Sequence, residues 1–193
     1  MIAAMSTAAG LDHEELVHLA LEASSQQRHG EAIEYLKQSI AKSKNFKALY
    51  LLAAEHAQIG LTERAIEEFR QALEIEPGMA AARFQLGLLF LCNARVQEAL
   101  DAWRPLEKAA GADPYAVFAG ALTKLAHDEF AAAAEGLRRG MEINRVNPAL
   151  NTDMKRVLER IEAHMAGGEP PQQPASGAQP GQFLLSAYTK TLN

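Results

Sequence analysis

The side chains able to do chemistry are few and scattered along the chain. Six histidines, His13, His18, His29, His56, His127 and His164, and one cysteine, Cys92, are the groups that could bind a metal or act as nucleophile. His13 and His18 are five apart, which puts them about 140° apart on a helix. They therefore leave on different faces, and Glu14-Glu15 between them does not complete an H-E-x-x-H zinc motif. The other histidines are spread over separate segments and read as surface or packing residues. Cys92 has no histidine or aspartate partner in motif spacing and reads as an inert thiol. There is no glycine-rich phosphate loop and no dinucleotide fingerprint. These residues predict no catalytic constellation, no metal and no cofactor, so the chain is read as non-enzymatic.

The bulk composition narrows the class further. With 193 residues, 48% of them hydrophobic and 22% charged, the chain can bury a core without disulfide staples. A single cysteine excludes an intrachain disulfide and fits a reducing compartment, hence the cytoplasm. A net charge of −5 argues against nucleic acid and against an anionic membrane surface as partners. No apolar run reaches the roughly 20 residues of a membrane span. The start has no Lys or Arg before Arg28 and lacks the pattern of a secretory signal. Residues 1–11 are expected to form a flexible N-terminus.

Helix-period patterns run from Asp12 to about Ala166, and nothing alternates with period two over a strand's length. The chain is therefore predicted to be all-α. Asp12 with Glu15 reads as a capping box, Thr62 as an N-cap, Pro77-Gly78 as a stop, Asp113-Pro114 as cap plus first-turn proline, and Asn147-Pro148 as the start of a last helix. Pro105, inside a helical pattern, predicts a bend or an early end.

The helical segments repeat. Ala32, Ala65, Ala99 and Ala133 are spaced by 33, 34 and 34 residues, and four residues after each stands a large apolar side chain, Leu36, Phe69, Trp103 and Leu137. Three further on come Ser39, Ala72, Leu106 and Gly140. The second unit of this pattern carries Leu52, Ala53, His56, Gly60, Ala65, Phe69, Ala72 and Pro77, and the third Leu86, Gly87, Phe90, Ala99 and Trp103. On these residues the sequence resembles the tetratricopeptide repeat (TPR) family over residues 13–146, whose 34-residue unit reads W-x2-L-G-x2-Y, then A-x3-F, then P. The fourth unit fits only with a one-residue shift that aligns Ala119-Gly120 with the leucine-glycine pair. The resemblance implies a right-handed α-solenoid of about four TPR-like helix pairs over residues 12–166, closed by a capping helix at 147–166. Small residues such as Ala20, Ala53, Gly87 and Gly120 are then expected where paired helices approach closely.

The resemblance also implies where a ligand binds: the concave face formed by the first helix of each pair. In this sequence the protein-binding positions become Val17, Leu21, Tyr50, Leu51, Phe84, Leu88, Leu91, Val117 and Phe118, an apolar groove. Family members that grip acidic chaperone C-termini use Lys, Asn and Arg there. Here Val17, Leu21, Leu51, Ala81 and Gln85 stand instead, so that use is not expected. A rotation of about 40° would instead turn half of these side chains into the core between helices.

Gly167 to Gln182 holds four Gly, four Pro and four Gln in sixteen residues, a composition that builds no core and reads as a linker over 167–182. The tail 183–193 is apolar again. Leu184, Tyr188 and Leu192, with Phe183 and Leu185 beside them, fall at helical spacing and suit docking into a groove. The expected function is a cytoplasmic adaptor, scaffold or chaperone that holds an apolar peptide or helix of a partner protein. Its own tail could fill that groove, within the chain or across a homodimer. An accessory or regulatory subunit of an enzyme or secretion complex is the competing expectation.

Overall fold

The computed structural model describes residues 10–109, 113–145 and 147–167, and 82% of these are helical, with no strand among them. The chain divides between Pro77 and Gly78 into two units. The first holds α1 (His13–Ser25), α2 (His29–Lys42), α3 (Phe46–Gln58) and α4 (Thr62–Ile75). Here α1 packs on α2, α3 on α4, and α2 on α3. The second holds α5 (Ala80–Cys92), α6 (Val96–Trp103), a 3-10 segment Arg104–Ala109, α7 (Pro114–Ala126), α8 (Phe130–Ile143) and α9 (Pro148–Met165). Here α5 pairs with α6 and α7 with α8, and α9 closes the unit against α8. The linker and tail segments from residue 168 onward lie outside the described residues.

Three of the four first helices start at side-chain caps; α5 does not, its cap position being Met79 with no side-chain bond. The Asp12 carboxylate accepts from the Glu14 and Glu15 backbone at 2.8 and 2.9 Å, while Glu15 accepts from the Asp12 N–H at 2.7 Å, completing the capping box. The Glu15 N–H is the largest cause holding the Asp12 carboxyl below its ordinary value. Asn45, Asp113 and Asn147 cap α3, α7 and α9 in the same way. Second helices start differently. Thr62, expected as an N-cap, is the first residue inside α4; Leu61 holds the cap position, with no side-chain bond. Arg28, Arg95 and Glu129 begin α2, α6 and α8 equally uncapped. The reason is the turn that precedes them.

Among the described residues that turn occurs four times with one geometry. Gln27, Gly60, Ala94 and Asp128 all have left-handed backbone, with φ of 58°, 79°, 58° and 61°. The next residue in each case donates its N–H back five positions: Arg28 to Ala23, Leu61 to His56, Arg95 to Phe90 and Glu129 to Lys124, at 2.8–2.9 Å. This is a Schellman closure, and its second residue doubles as the start of the following helix. Only Gly60 adopts the left-handed region freely. Ala94→Gly is expected to stabilise the protein by about 1 kcal/mol, the cost of left-handed geometry for a residue with a Cβ. A chemical-denaturation midpoint that falls instead would show that the Ala94 methyl is needed.

Pro105 ends the α-helix as the sequence predicts: α6 stops at Trp103 and the chain continues in 3-10 form, with Leu106 still buried. A 3-10 segment tolerates the missing N–H because it is short and its hydrogen bonding is already altered.

The paired helices approach through absent side chains. A Cβ on Gly87 of α5 would collide with the Trp103 indole of α6, and a Cβ on Gly140 of α8 with the Phe118 ring of α7. A Cβ on Gly136 would lie 2.8 Å from the Ala121 Cβ. Ala121, not Gly120, is therefore the close-approach residue of α7. A Cβ added at Gly120 meets nothing within 4 Å, so the fourth repeat keeps the register of the others and needs no shift. The small-residue signal of Ala119-Gly120-Ala121 is simply ambiguous by one position. Gly87→Ala is expected to cost about 3 kcal/mol as an overpacked contact, while Gly120→Ala gains roughly 0.5–1 kcal/mol from helix propensity. Thermal melts of the two variants should move in opposite directions. Parallel shifts would refute this register.

Candidate protein-binding surface

Each unit has its own aromatic or aliphatic core, and that core claims several of the residues expected in the groove. Tyr50, Leu51, Phe84 and Phe118 are only 0–2% exposed. Tyr50 meets the edge of Phe69 at 5.8 Å between α3 and α4. Phe84 lies at the centre of the second unit, 6.1 Å from Trp103, 5.6 Å from Tyr115 and 6.3 Å from Phe118. Trp103 Nε1 donates to the Phe84 carbonyl at 3.0 Å, so the indole is satisfied inside the core. These four side chains are core, and the expected groove is corrected accordingly. On an α-helix a 40° error in rotation is less than half a residue's turn, and apolar runs such as Leu49-Tyr50-Leu51-Leu52 and Leu86-Gly87-Leu88-Leu89 give no period to fix the phase.

The remaining positions keep some surface. Val17 and Leu21 on α1, Leu91 on α5 and Val117 on α7 are half-buried, and Leu88 is 9% exposed. Within the second unit, Leu88, Leu91 and Cys92 follow at i, i+3 and i+4 on α5, one stripe of that helix. The tail positions Phe183, Leu184, Leu185, Tyr188 and Leu192 lie outside the described residues.

Sequence reading missed a polar pair of contacts in the first unit. Helix α3 is buried from Ala48 to Ala57, and this stretch includes two ionisable groups, Glu55 and His56. Glu55 is 1% exposed, and its carboxylate accepts from Nδ1 of His29, the first residue of α2, at 2.8 Å. His56 donates from Nδ1 to the Glu68 carboxylate of α4 at 2.7 Å. Adjacent residues of one helix thus reach opposite neighbours. The available signal was Glu55-His56 itself, a charged dipeptide inside the apolar run Leu49 to Ala57. A burial-prone polar group implies a partner. The contacts bind helices to each other.

Cys92 and Asp153 are the titratable groups that burial perturbs most clearly. Burial raises the Asp153 carboxyl above its ordinary value, against the opposing charge of Arg156, whose Nη1 lies 3.3 Å from it. Burial pushes the Cys92 thiol from 9.0 up to about 11. At pH 8 that leaves a thiolate fraction roughly a hundredfold below that of the free thiol. Alkylation of Cys92 by iodoacetamide is expected to be slow in the native protein and fast in urea. Equal rates would show the sulfur open to solvent.

Comparison with known proteins places this arrangement. Residues 46–79, which are α3, α4 and the turn after them, match the sequence model described as tetratricopeptide repeat. No curated protein matches the chain. Among solved structures the fold is similar to "MamA 41-end from Desulfovibrio magneticus RS-1", with TM-score 0.58, 18% identity, and 80% of this chain and 92% of that chain covered. It is similar also to "MamA RS-1 ArsTM double mutant", with TM-score 0.60 and 17% identity over 89% of this chain and 93% of that one. A third, "MamA MSR-1 C2", gives TM-score 0.54 and 13% identity over 89% and 95%. No helix among the described residues is long and apolar enough to cross a membrane. The chain is in fold a helical-repeat protein of the tetratricopeptide type, with the family's sequence pattern carried by residues 46–79.

Proposed function

We propose that this protein is a non-catalytic scaffold that holds an apolar segment of a partner protein against the first helices of its repeats. The observation that carries the reading is the tetratricopeptide repeat at residues 46–79, since this repeat class is a protein-interaction scaffold. Half-buried apolar side chains at the corresponding positions of α1, α5 and α7 support it: Val17 and Leu21 in the first unit, and Leu91 and Val117 in the second. Each can contribute desolvation to a bound peptide without being needed whole for the core. Tyr50, Leu51, Phe84 and Phe118 act in this reading by shaping the helices that carry the surface. The single cysteine favours a reducing compartment, and the reading is therefore of a cytoplasmic adaptor or chaperone.

Leu91→Glu is the discriminating substitution, because Leu91 is half-buried whereas Leu88 is nearly enclosed. We expect Leu91→Glu to leave the thermal midpoint close to wild type and to reduce co-purification of the partner from the source cell at least tenfold. Leu88→Glu should lower the midpoint itself by placing a charge at an almost dry site. Unchanged partner recovery with Leu91→Glu would remove α5 from the binding surface.

The tail enters the same proposal as the resident occupant. Fifteen residues, 168–182, separate the last described residue from Phe183 and can extend about 50 Å, so Phe183, Leu184, Leu185, Tyr188 and Leu192 reach the repeats of their own chain. Tethering at that length gives an effective concentration near millimolar, enough for a weak contact to persist until a tighter ligand displaces it. Removing residues 183–193 is then expected to raise both partner affinity and binding of an apolar dye. Loss of partner binding with unchanged dye signal would make the tail a bait for another protein, and no change in either would make it inert.

A further inference from the structure

We draw no further inference here: the strongest candidate, the open cavity of about 460 Å³ on the first unit lined by Lys37, His56, Glu63, Arg64, Glu67 and Glu68, is a charged cluster whose one buried side chain, His56, is already bonded to Glu68, so nothing in it points to a ligand.

Discussion

Two helices can bring their backbones together only where one of them lacks a side chain at the point of contact. That constraint organises this protein. Where α5 meets α6, the missing side chain is at Gly87 and the space is taken by Trp103; where α7 meets α8, it is at Gly140 and taken by Phe118. The roles alternate, with the gap on the first helix in one pair and on the second in the next. In both cases a large ring fills the void that a small residue creates, which lets the interior reach close packing with few residue types. Ala32, Ala65, Ala99 and Ala133, all fully buried, mark the matching position on the second helix of every pair. The Phe84 cluster depends on this arrangement, because Trp103 can stack on Phe84 and bond to its carbonyl only with its indole seated over Gly87.

The first unit adds a polar constraint that packing alone does not supply. An alanine- and leucine-rich helix such as α3 could slide or turn among similar neighbours with little loss of apolar burial. Glu55 and His56 remove that freedom. A one-residue shift turns α3 by about 100° and would leave a carboxylate and an imidazole buried away from His29 and Glu68. The two contacts therefore select one register where hydrophobic burial would accept several.

Much of this was legible in the sequence because it depends on spacing. The alanine period, the caps at Asp12, Asp113 and Asn147, and the break at Pro105 are local signals with local causes, and they appear where spacing puts them. The phase of an apolar helix is different. In Leu86 to Phe90 every residue can face the core, and the structure buries all five. Across Phe84 to Leu91 the spacing does not distinguish Phe84, a core residue, from Leu91, which keeps part of its surface. Partners in a buried polar contact are equally hidden, since His29 and Glu55 are 26 residues apart and neither is unusual by itself. Thr62 misled for a different reason: a good capping residue stood one place beyond a helix start that the turn had already fixed.

The four left-handed turns have a consequence for how the repeat can be detected at all. Their shape is set by hydrogen bonds from backbone to backbone, so the residue in the left-handed position is free to vary as long as the fold absorbs the strain. Gln27, Gly60, Ala94 and Asp128 share a conformation and nothing else. Of the four, only Gly60 falls within residues 46–79, the stretch whose sequence still matches the family model. The other three turns keep the same backbone geometry without a glycine, so a search keyed to residue type passes over them while one keyed to dihedral angles finds all four.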